Sequence, residues 1–68
     1  MLILHRLNDS QIVVNLDLLE TVEVTPDTLI TFNSGRKIVV KESIEEVIQQ
    51  ALDYKARILL KMNSLEED

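Results

Sequence analysis

Residues 15–47 read NLDLLETVEVTPDTLITFNSGRKIVVKESIEEV, and this stretch decides the fold of the 68-residue chain. It contains short strand patterns separated by turn residues, followed by the start of a helix. Residues 20–25 alternate between polar and apolar side chains, which is the period of a strand buried on one face. Pro26-Asp27 then predicts a tight turn, and residues 28–32 predict the partner strand.

A second turn follows at Asn33-Ser34-Gly35, where the only glycine of the chain suits the positive φ of a three-residue hairpin loop. Residues 36–41 complete a meander of three strands. Upstream of the quoted stretch, residues 2–7 and 11–15 predict a separate hairpin, because the turn-forming residues Asn8-Asp9-Ser10 lie between them. The apolar residues 16–19 predict a corner or a single helical turn.

The last element is a long helix. Ser43 followed three residues later by Glu46 is a capping box, which is typical of a helix start. About twenty residues then follow a period of 3.6, which corresponds to a helix of about 30 Å. The predicted apolar face consists of Ile44, Val47, Ile48, Ala51, Leu52, Ile58, Leu59 and Met62.

Together these elements predict an α+β fold with about five short antiparallel strands, in hairpins and a meander, followed by one long C-terminal helix. Residues 1–62 form a single domain, and residues 63–68 form a frayed acidic tail.

Apolar side chains occur on both faces of the predicted sheet. We expect one set to face the helix, namely Val22, Val24, Ile30, Phe32, Ile38 and Val40. The set expected on the other face is Ile3, Val13, Leu29 and Val39. A solvated face would carry fewer branched apolar residues. Either the sheet curls into a small barrel, or this second face contacts another chain.

Composition excludes several classes of protein. Twelve acidic and seven basic residues give a net charge of −5, which argues against nucleic acid and anionic membranes as main ligands. The chain has no cysteine and one histidine, so disulfides and thiolate zinc sites are excluded. The N-terminal apolar run is shorter than the roughly 7–15 residues of a signal peptide core or the roughly 20 of a membrane span. We therefore expect a cytoplasmic protein without membrane insertion.

No group of side chains predicts catalysis, and we expect neither enzyme activity nor a cofactor. A catalytic base needs a partner carboxylate and a substrate pocket, and the sequence fixes neither for His5. Asp17, Glu20 and Glu23 could hold a hard cation, but their spacing is not that of a calcium loop. The simplest interpretation of this cluster is a solvated acidic surface with Asp17 capping a short turn. If the cluster has a function, docking of a basic partner is favoured over metal binding, and we expect no metal site.

Two further surfaces could bind a partner. A basic strip could grip RNA, but such sites normally add exposed aromatic side chains, and the chain has one phenylalanine and one tyrosine. The strip would consist of Arg6, Arg36, Lys37 and Lys41. The distal part of the helix carries more apolar residues than a short sheet can cover. We expect Ile58, Leu59 and Met62 to mediate self-association, and a small core also favours a homo-oligomer.

Several of these motifs resemble the small flagellar FlbD family, also called SwrD, over roughly residues 1–60. The motifs are Leu7-Asn8, Asn15-Leu16-Asp17-Leu18-Leu19-Glu20, Thr25-Pro26-Asp27-Thr28, Asn33-Ser34-Gly35, Val39-Val40-Lys41-Glu42-Ser43 and Glu46-Val47. The chain departs from the family pattern at Asn8-Asp9, where Asn-Gly is expected, and this departure changes only the geometry of the turn.

The resemblance implies a non-enzymatic cytoplasmic accessory protein that supports swarming motility by raising flagellar motor power through protein–protein contact. The implied partner is a flagellar motor stator, whose exposed arginines would suit an acidic surface. The residues at which we place the contact are Asn15, Asp17, Glu20, Pro26, Asp27 and Thr28. The alternative is a nucleic-acid-binding regulator of flagellar gene expression that would use the basic strip.

Overall fold

A computed structural model describes residues 1–66 of the chain, with side chains described through residue 62. The elements are β1 (Leu2–His5), β2 (Gln11–Val14), a 3₁₀ turn (Leu16–Leu18), β3 (Leu19–Val24), β4 (Thr28–Phe32), β5 (Lys37–Val40) and α1 (Ile44–Glu66). All strand pairs are antiparallel, in one sheet of β1 and β2 and a second sheet in the order β3-β4-β5. The predicted fold class is therefore confirmed. The barrel alternative is wrong, because the two sheets do not close.

The tight turns have the backbone geometry that their residues favour. Gly35 has a φ of 91°, and its N–H donates to the carbonyl of Phe32 at 2.8 Å. Asp9 has a φ of 70°, a region in which glycine has no steric penalty and Asp is tolerated. Between β3 and β4, Thr25 donates its N–H to the carbonyl of Asp27 at 3.0 Å.

The two sheets are joined along the outer edge of β1. Lys41 donates its backbone N–H to the carbonyl of His5 at 2.8 Å, and Arg6 pairs with Val40 in an isolated bridge. The hairpin of β1 and β2 therefore continues onto the end of β5 immediately before the helix begins.

The core lies between the two sheets and the start of α1. Its fully buried side chains are Leu2, Leu4, Val14, Ile30, Val40 and Val47. Val22, Phe32 and Ile38 from the predicted helix-facing set are half-buried and pack against this core cluster. Val24 was wrongly assigned to that set, since it is 52% exposed. It lines an open cavity of about 510 Å³ between the Pro26 turn and the helix start.

The second face of the sheets stays largely uncovered. Ile3 and Val13 are direct cross-strand partners, and they are 50% and 58% exposed. Val39 is also exposed, and Leu29 beside it is half-buried. Because no barrel forms, contact with another chain remains the prediction for this face.

The helix is longer than the body on which it packs. Its 23 residues correspond to about 34 Å, whereas the short dimensions of the molecule are 22 and 19 Å. The hydroxyl of Ser43 accepts the N–H of Glu46 at 3.2 Å, which confirms the predicted cap. Val47 is buried and Ala51 and Tyr54 are half-buried, but every side chain from residue 55 to residue 62 is exposed.

The predicted apolar face of the helix is therefore only partly covered. Its exposed members are Ile48, Leu52, Ile58, Leu59 and Met62. The frayed acidic tail predicted for residues 63–68 lies outside the described side chains, and its last two residues lie outside the described part of the chain altogether.

Candidate functional site

The corner between β2 and β3 (residues 15–20) is built by local hydrogen bonds. The side chain of Asn15 accepts the N–H of Asp17 at 3.0 Å, and its backbone carbonyl accepts the N–H of Leu18 at 3.1 Å. An asparagine at the N-cap satisfies donors that a short helical turn leaves free. The turn in consequence presents Asp17 and Leu18 to solvent, followed by the exposed Glu20.

The corner is fastened to the turn between β4 and β5. Asn33 donates its backbone N–H to the carbonyl of Leu18 at 2.8 Å, and its side-chain amide donates to the carbonyl of Asp17 at 3.4 Å. The sequence analysis assigned Asn33 to hairpin geometry alone and missed this contact. The only signal in the sequence was the residue type, because an asparagine at position 33 can donate hydrogen bonds from both its backbone and its side chain.

An apolar groove opens beside the corner, where the two sheets fail to close. Its volume is about 330 Å³. Its apolar walls are Ile12, Val13, Val14, Leu18, Phe32 and Ile38, and its polar lining is Asn15, Asn33, Ser34 and Arg36. Phe32 and Ile38 were expected to lie under the helix. They pack against the core and also line this groove.

The groove lies beside a strand edge with free backbone groups. Ile3 donates its N–H to the Gln50 side chain, which also donates to the carbonyl of Ile3. His5 donates its N–H to the Glu42 side chain, and its carbonyl accepts the backbone N–H of Lys41. Those groups point away from β2, so the opposing Gln11 and Val13 direct their own backbone groups away from β1. Neither has a backbone partner on that edge among the described residues. Such an edge can accept a further strand.

The six residues predicted for partner contact form two separate groups. Asn15, Asp17 and Glu20 lie at the start of β3, whereas the Pro26 turn lies at its other end, about 20 Å away along the strand. Pro26 and Asp27 are exposed. Thr28 is 6% exposed, so its side chain offers little contact area.

The acidic side chains of the corner are free. Neither Asp17 nor Glu20 forms an ion pair with any side chain described in the structure. Within the same part of the chain, no cluster of three or more His, Asp or Glu residues has the arrangement of a metal site. The one cation in the groove lining is Arg36, so the corner and groove combine apolar walls with charges of both signs.

His5 has a partner carboxylate that the sequence analysis did not find. Its Nδ1 lies 2.7 Å from Oε2 of Glu42, and its backbone N–H donates to Oε1 at 2.7 Å. Burial raises the pKa of Glu42, but hydrogen bonds from the ring and backbone of His5 outweigh it, and the pKa lies below its ordinary value of 4.5. The separation of 37 residues in sequence hid this pair.

The predicted basic strip is interrupted. Lys41 forms an ion pair with Asp9, and this contact holds the pKa of the Asp9 carboxyl below its ordinary value of 3.8. Both side chains are exposed, so the pair contributes little to stability. It nevertheless removes one of the four cations from the surface that would face a phosphate backbone.

The residues predicted for self-association lie on the protruding part of α1. Ile58, Leu59 and Met62 are 41%, 60% and 52% exposed. They fall within an arc of about 100° on the helix, and nothing in the described part of the chain covers them.

Comparison with known proteins gives one match. The FlbD family model, described as flagellar and swarming motility proteins, matches residues 1–59. The matched region includes all five strands, the corner, the groove and the half of the helix that packs on the body. No curated protein sequence and no solved structure is significantly similar to the chain. Among the residues with described structure, no helix is long and apolar enough to cross a membrane.

Proposed function

This chain belongs to the FlbD family of flagellar and swarming motility proteins, and we propose that it serves motility as a docking protein and not as an enzyme. Its role lies in flagellar or swarming motility because it is a member of that family. The proposal adds the mode of action, which is protein–protein contact that raises the power of the flagellar motor.

The observation that carries the proposal is the open groove beside the corner. A domain of this size has few apolar residues to spare for its core, yet Leu18 and Val13 are left more than half exposed at the groove. Exposed apolar walls with a polar rim are typical of binding surfaces. The free edge of β2 beside the groove adds backbone groups that an extended partner segment could pair with.

The charges at the site support a basic partner. Asp17 and Glu20 are exposed and unpaired among the described side chains, so a partner segment with arginine or lysine would complement them. An apolar side chain in the same segment would enter the groove. The cytoplasmic part of a motor stator subunit is the partner that we propose, with an extended basic segment as the docking element.

Charge reversal at the corner tests the proposal in the native host. A strain lacking the gene would receive either the wild-type gene or the Asp17→Lys/Glu20→Lys variant. Both side chains are exposed, so the fold should persist, and circular dichroism would check it. We expect normal flagellar number, reduced motor torque and reduced swarming.

The matched control is Glu23→Lys/Asp27→Lys, which makes the same change in charge at the other end of β3. If the control variant gives wild-type torque and the corner variant gives reduced torque, the contact lies at the corner. If only the control variant has reduced torque, the contact lies at the Pro26 turn. If both variants have wild-type torque, neither region is the contact site. Missing flagella in the deletion strain would contradict the motor proposal and favour a role in assembly or gene expression.

Direct binding provides the second readout. The purified chain would be titrated with peptides from the cytoplasmic regions of the stator subunits at low and high salt. We expect the affinity of the wild type to fall with salt, because exposed charge pairs are screened, and the corner variant to bind at least about tenfold more weakly. Absence of binding to any stator peptide would overturn the choice of partner. Retardation of nucleic acid in a gel-shift assay would instead support the regulatory alternative.

A further inference from the structure

We propose that the free edge of β2 binds the docking segment of the partner as an additional antiparallel strand, with three consecutive apolar residues opposite residues 12–14 and a basic residue beside the corner. This inference rests on the docking function proposed above and deepens it, because it specifies the backbone conformation and the side-chain pattern of the segment. It follows from backbone groups of β2 that no described residue pairs.

The unpaired backbone groups belong to Gln11 and Val13. Ile3 and His5 use their own groups for bonds that point away from β2, so the cross-strand partners Val13 and Gln11 direct theirs away from β1. Each of the two residues offers one donor and one acceptor. Groups repeated at every second residue match the hydrogen-bonding pattern of an extended backbone, so the ligand that this edge fits is a strand.

The other strand edges are each protected. The outer edge of β1 bonds to the side chains of Gln50 and Glu42. β3 has a bulge near its start and carries two exposed glutamates, and the outer edge of β5 begins with the exposed Lys37 and ends in the bridge between Arg6 and Val40. Bulges and charges are devices that prevent pairing with other chains. β2 has no bulge in its pairing and no charged residue.

The outer face of the hairpin predicts one residue of the segment. Ile3 and Val13 form an exposed apolar row across β1 and β2, and this row stops at the free edge. A residue opposite Val13 on an added strand would continue the row, because cross-strand neighbours share a face of the sheet. An apolar, β-branched residue at this position would cover the exposed side of Val13.

The two neighbours of that residue would face the groove. Residues opposite Ile12 and Val14 point to the other side of the sheet, where Phe32 and Ile38 form the far wall. The groove of about 330 Å³ has room for apolar side chains there. The inner and outer faces together therefore require three consecutive apolar residues in the segment.

The corner adds a basic residue to this pattern. Asp17 lies three residues beyond the end of β2, is exposed and forms no ion pair with a described side chain. An antiparallel strand, which is slightly more stable per residue than a parallel one, would bring its N-terminal residues to this point. Arginine or lysine there would complement the carboxylate. A second copy of the chain fits less well, since residues 10–15 contain no basic residue.

The first test uses amide exchange in the full chain, measured by NMR. The probe is the synthetic peptide Arg-Lys-Thr-Val-Ile-Val-Thr with blocked ends. We expect exchange at Gln11 and Val13 to slow when the peptide is added, whereas Ile12 and Val14 bond to β1 and should change little. Unchanged exchange at Gln11 and Val13 at roughly 1 mM peptide would overturn the proposal.

The same experiment detects a competing occupant. If Gln11 and Val13 are protected in the free chain, and if this protection rises with protein concentration, a second copy occupies the edge and the proposal is wrong. Rapid exchange of both amides in the free chain at all concentrations would support the proposal.

Backbone methylation of the peptide tests the register. The isoleucine faces Val13 and donates its N–H to the ladder, so N-methylation of this residue should weaken binding at least about tenfold. The matched control is N-methylation of the valine that follows it, which faces Ile12 and directs its N–H away from β2. The control should bind within about twofold of the parent peptide. Equal effects of the two methyl groups would overturn strand addition.

A variant of the chain separates this inference from the docking function. Val13→Lys places a charge on the free edge at a residue that is 58% exposed, so the fold should persist, and circular dichroism would check it. We expect it to bind the probe at least about tenfold more weakly, because a charged edge resists pairing and repels a basic segment. Val39→Lys is the matched control on the other sheet and should bind as the wild type does.

The stator peptides complete the comparison. If they bind the wild type and Val13→Lys equally well, strand addition is overturned while the docking function stands. If the probe binds at the edge but no stator peptide does, strand addition is supported and the choice of partner is wrong.

Discussion

Glu42 connects three parts of the molecule through one carboxylate. It follows β5, precedes the helix, and accepts hydrogen bonds from both the backbone N–H and the ring of His5 on β1. Its side chain is 12% exposed, so these bonds are partly shielded from water. The sequence did not reveal this pair, because His5 and Glu42 are far apart in the chain and come into contact only once the ends of β1 and β5 are adjacent.

We expect the stability contributed by Glu42 to depend on pH. Its pKa in the folded state is lowered, so the contribution is fully present above the ordinary value of 4.5 and is lost as the pH falls through the folded-state pKa. Glu42→Gln should lower the free energy of unfolding by about 1–2 kcal/mol at neutral pH, since a charged acceptor is lost.

Urea unfolding between pH 3 and pH 7 measures this effect. The difference between the wild type and Glu42→Gln should narrow once the pH falls below 4.5, because the protonated carboxyl then resembles the amide. A difference that stays constant down to the lowest pH would contradict the proposed role of the charge.

At the scale of the elements, a single side-chain amide joins the helix to the edge of β1 by hydrogen bonds, in addition to the core packing of Val47 and Ala51. Gln50 donates from Nε2 to the carbonyl of Ile3 at 2.9 Å, and its Oε1 accepts the N–H of Ile3 at 2.8 Å. The side chain thereby occupies the place of a neighbouring strand along β1. An exposed strand edge is otherwise open to association with other chains.

We expect Gln50→Ala to lower the free energy of unfolding by about 1–2 kcal/mol, because two hydrogen bonds to the β1 backbone are lost. Gln49→Ala is the matched control, since Gln49 bonds only to Asp53 on the same helix, and its effect should stay within about 0.5 kcal/mol. Urea unfolding gives both values. Amide exchange at Ile3 should accelerate in the first variant alone, and equal effects of the two would contradict the role of Gln50.

The elements themselves were largely predictable from local patterns. The alternation before Pro26, the single glycine and the capping box of Ser43 each act within a few residues, and strands, turn and helix formed where these signals predicted them. The groove was not predictable, because its walls come from β2, the corner and the β4–β5 turn. Val24 was misassigned for the same reason, since alternation defines a face of a strand but not whether another element covers it.

At the scale of the whole molecule, the shape is elongated for so short a chain. The Cα radius of gyration is 13.8 Å and the extents are 47 × 22 × 19 Å, whereas a compact chain of this length would have a radius of gyration of about 11 Å. The difference comes from the helix, whose protruding half adds length without adding to the core. The composition could not predict this shape, although the excess of apolar residues on the distal helix was visible in the sequence.

Small-angle X-ray scattering on the chain at low concentration tests this shape. We expect a radius of gyration near the 13.8 Å of the structure, with a small addition from hydration. A dilution series serves as the control, because association would raise the radius of gyration with concentration. A value near 11 Å, as for a compact domain, would mean that the distal helix folds back on the body.

The contact between Ile3 and Gln50 also bears on the order of events during synthesis. The two residues are 47 positions apart, so β1 leaves the ribosome long before the side chain that completes its edge has been made. Domains fold as units during synthesis, and unfinished strand edges are prone to aggregation in the interval. The first strand of this protein therefore acquires its final edge contact only when most of the chain has been translated.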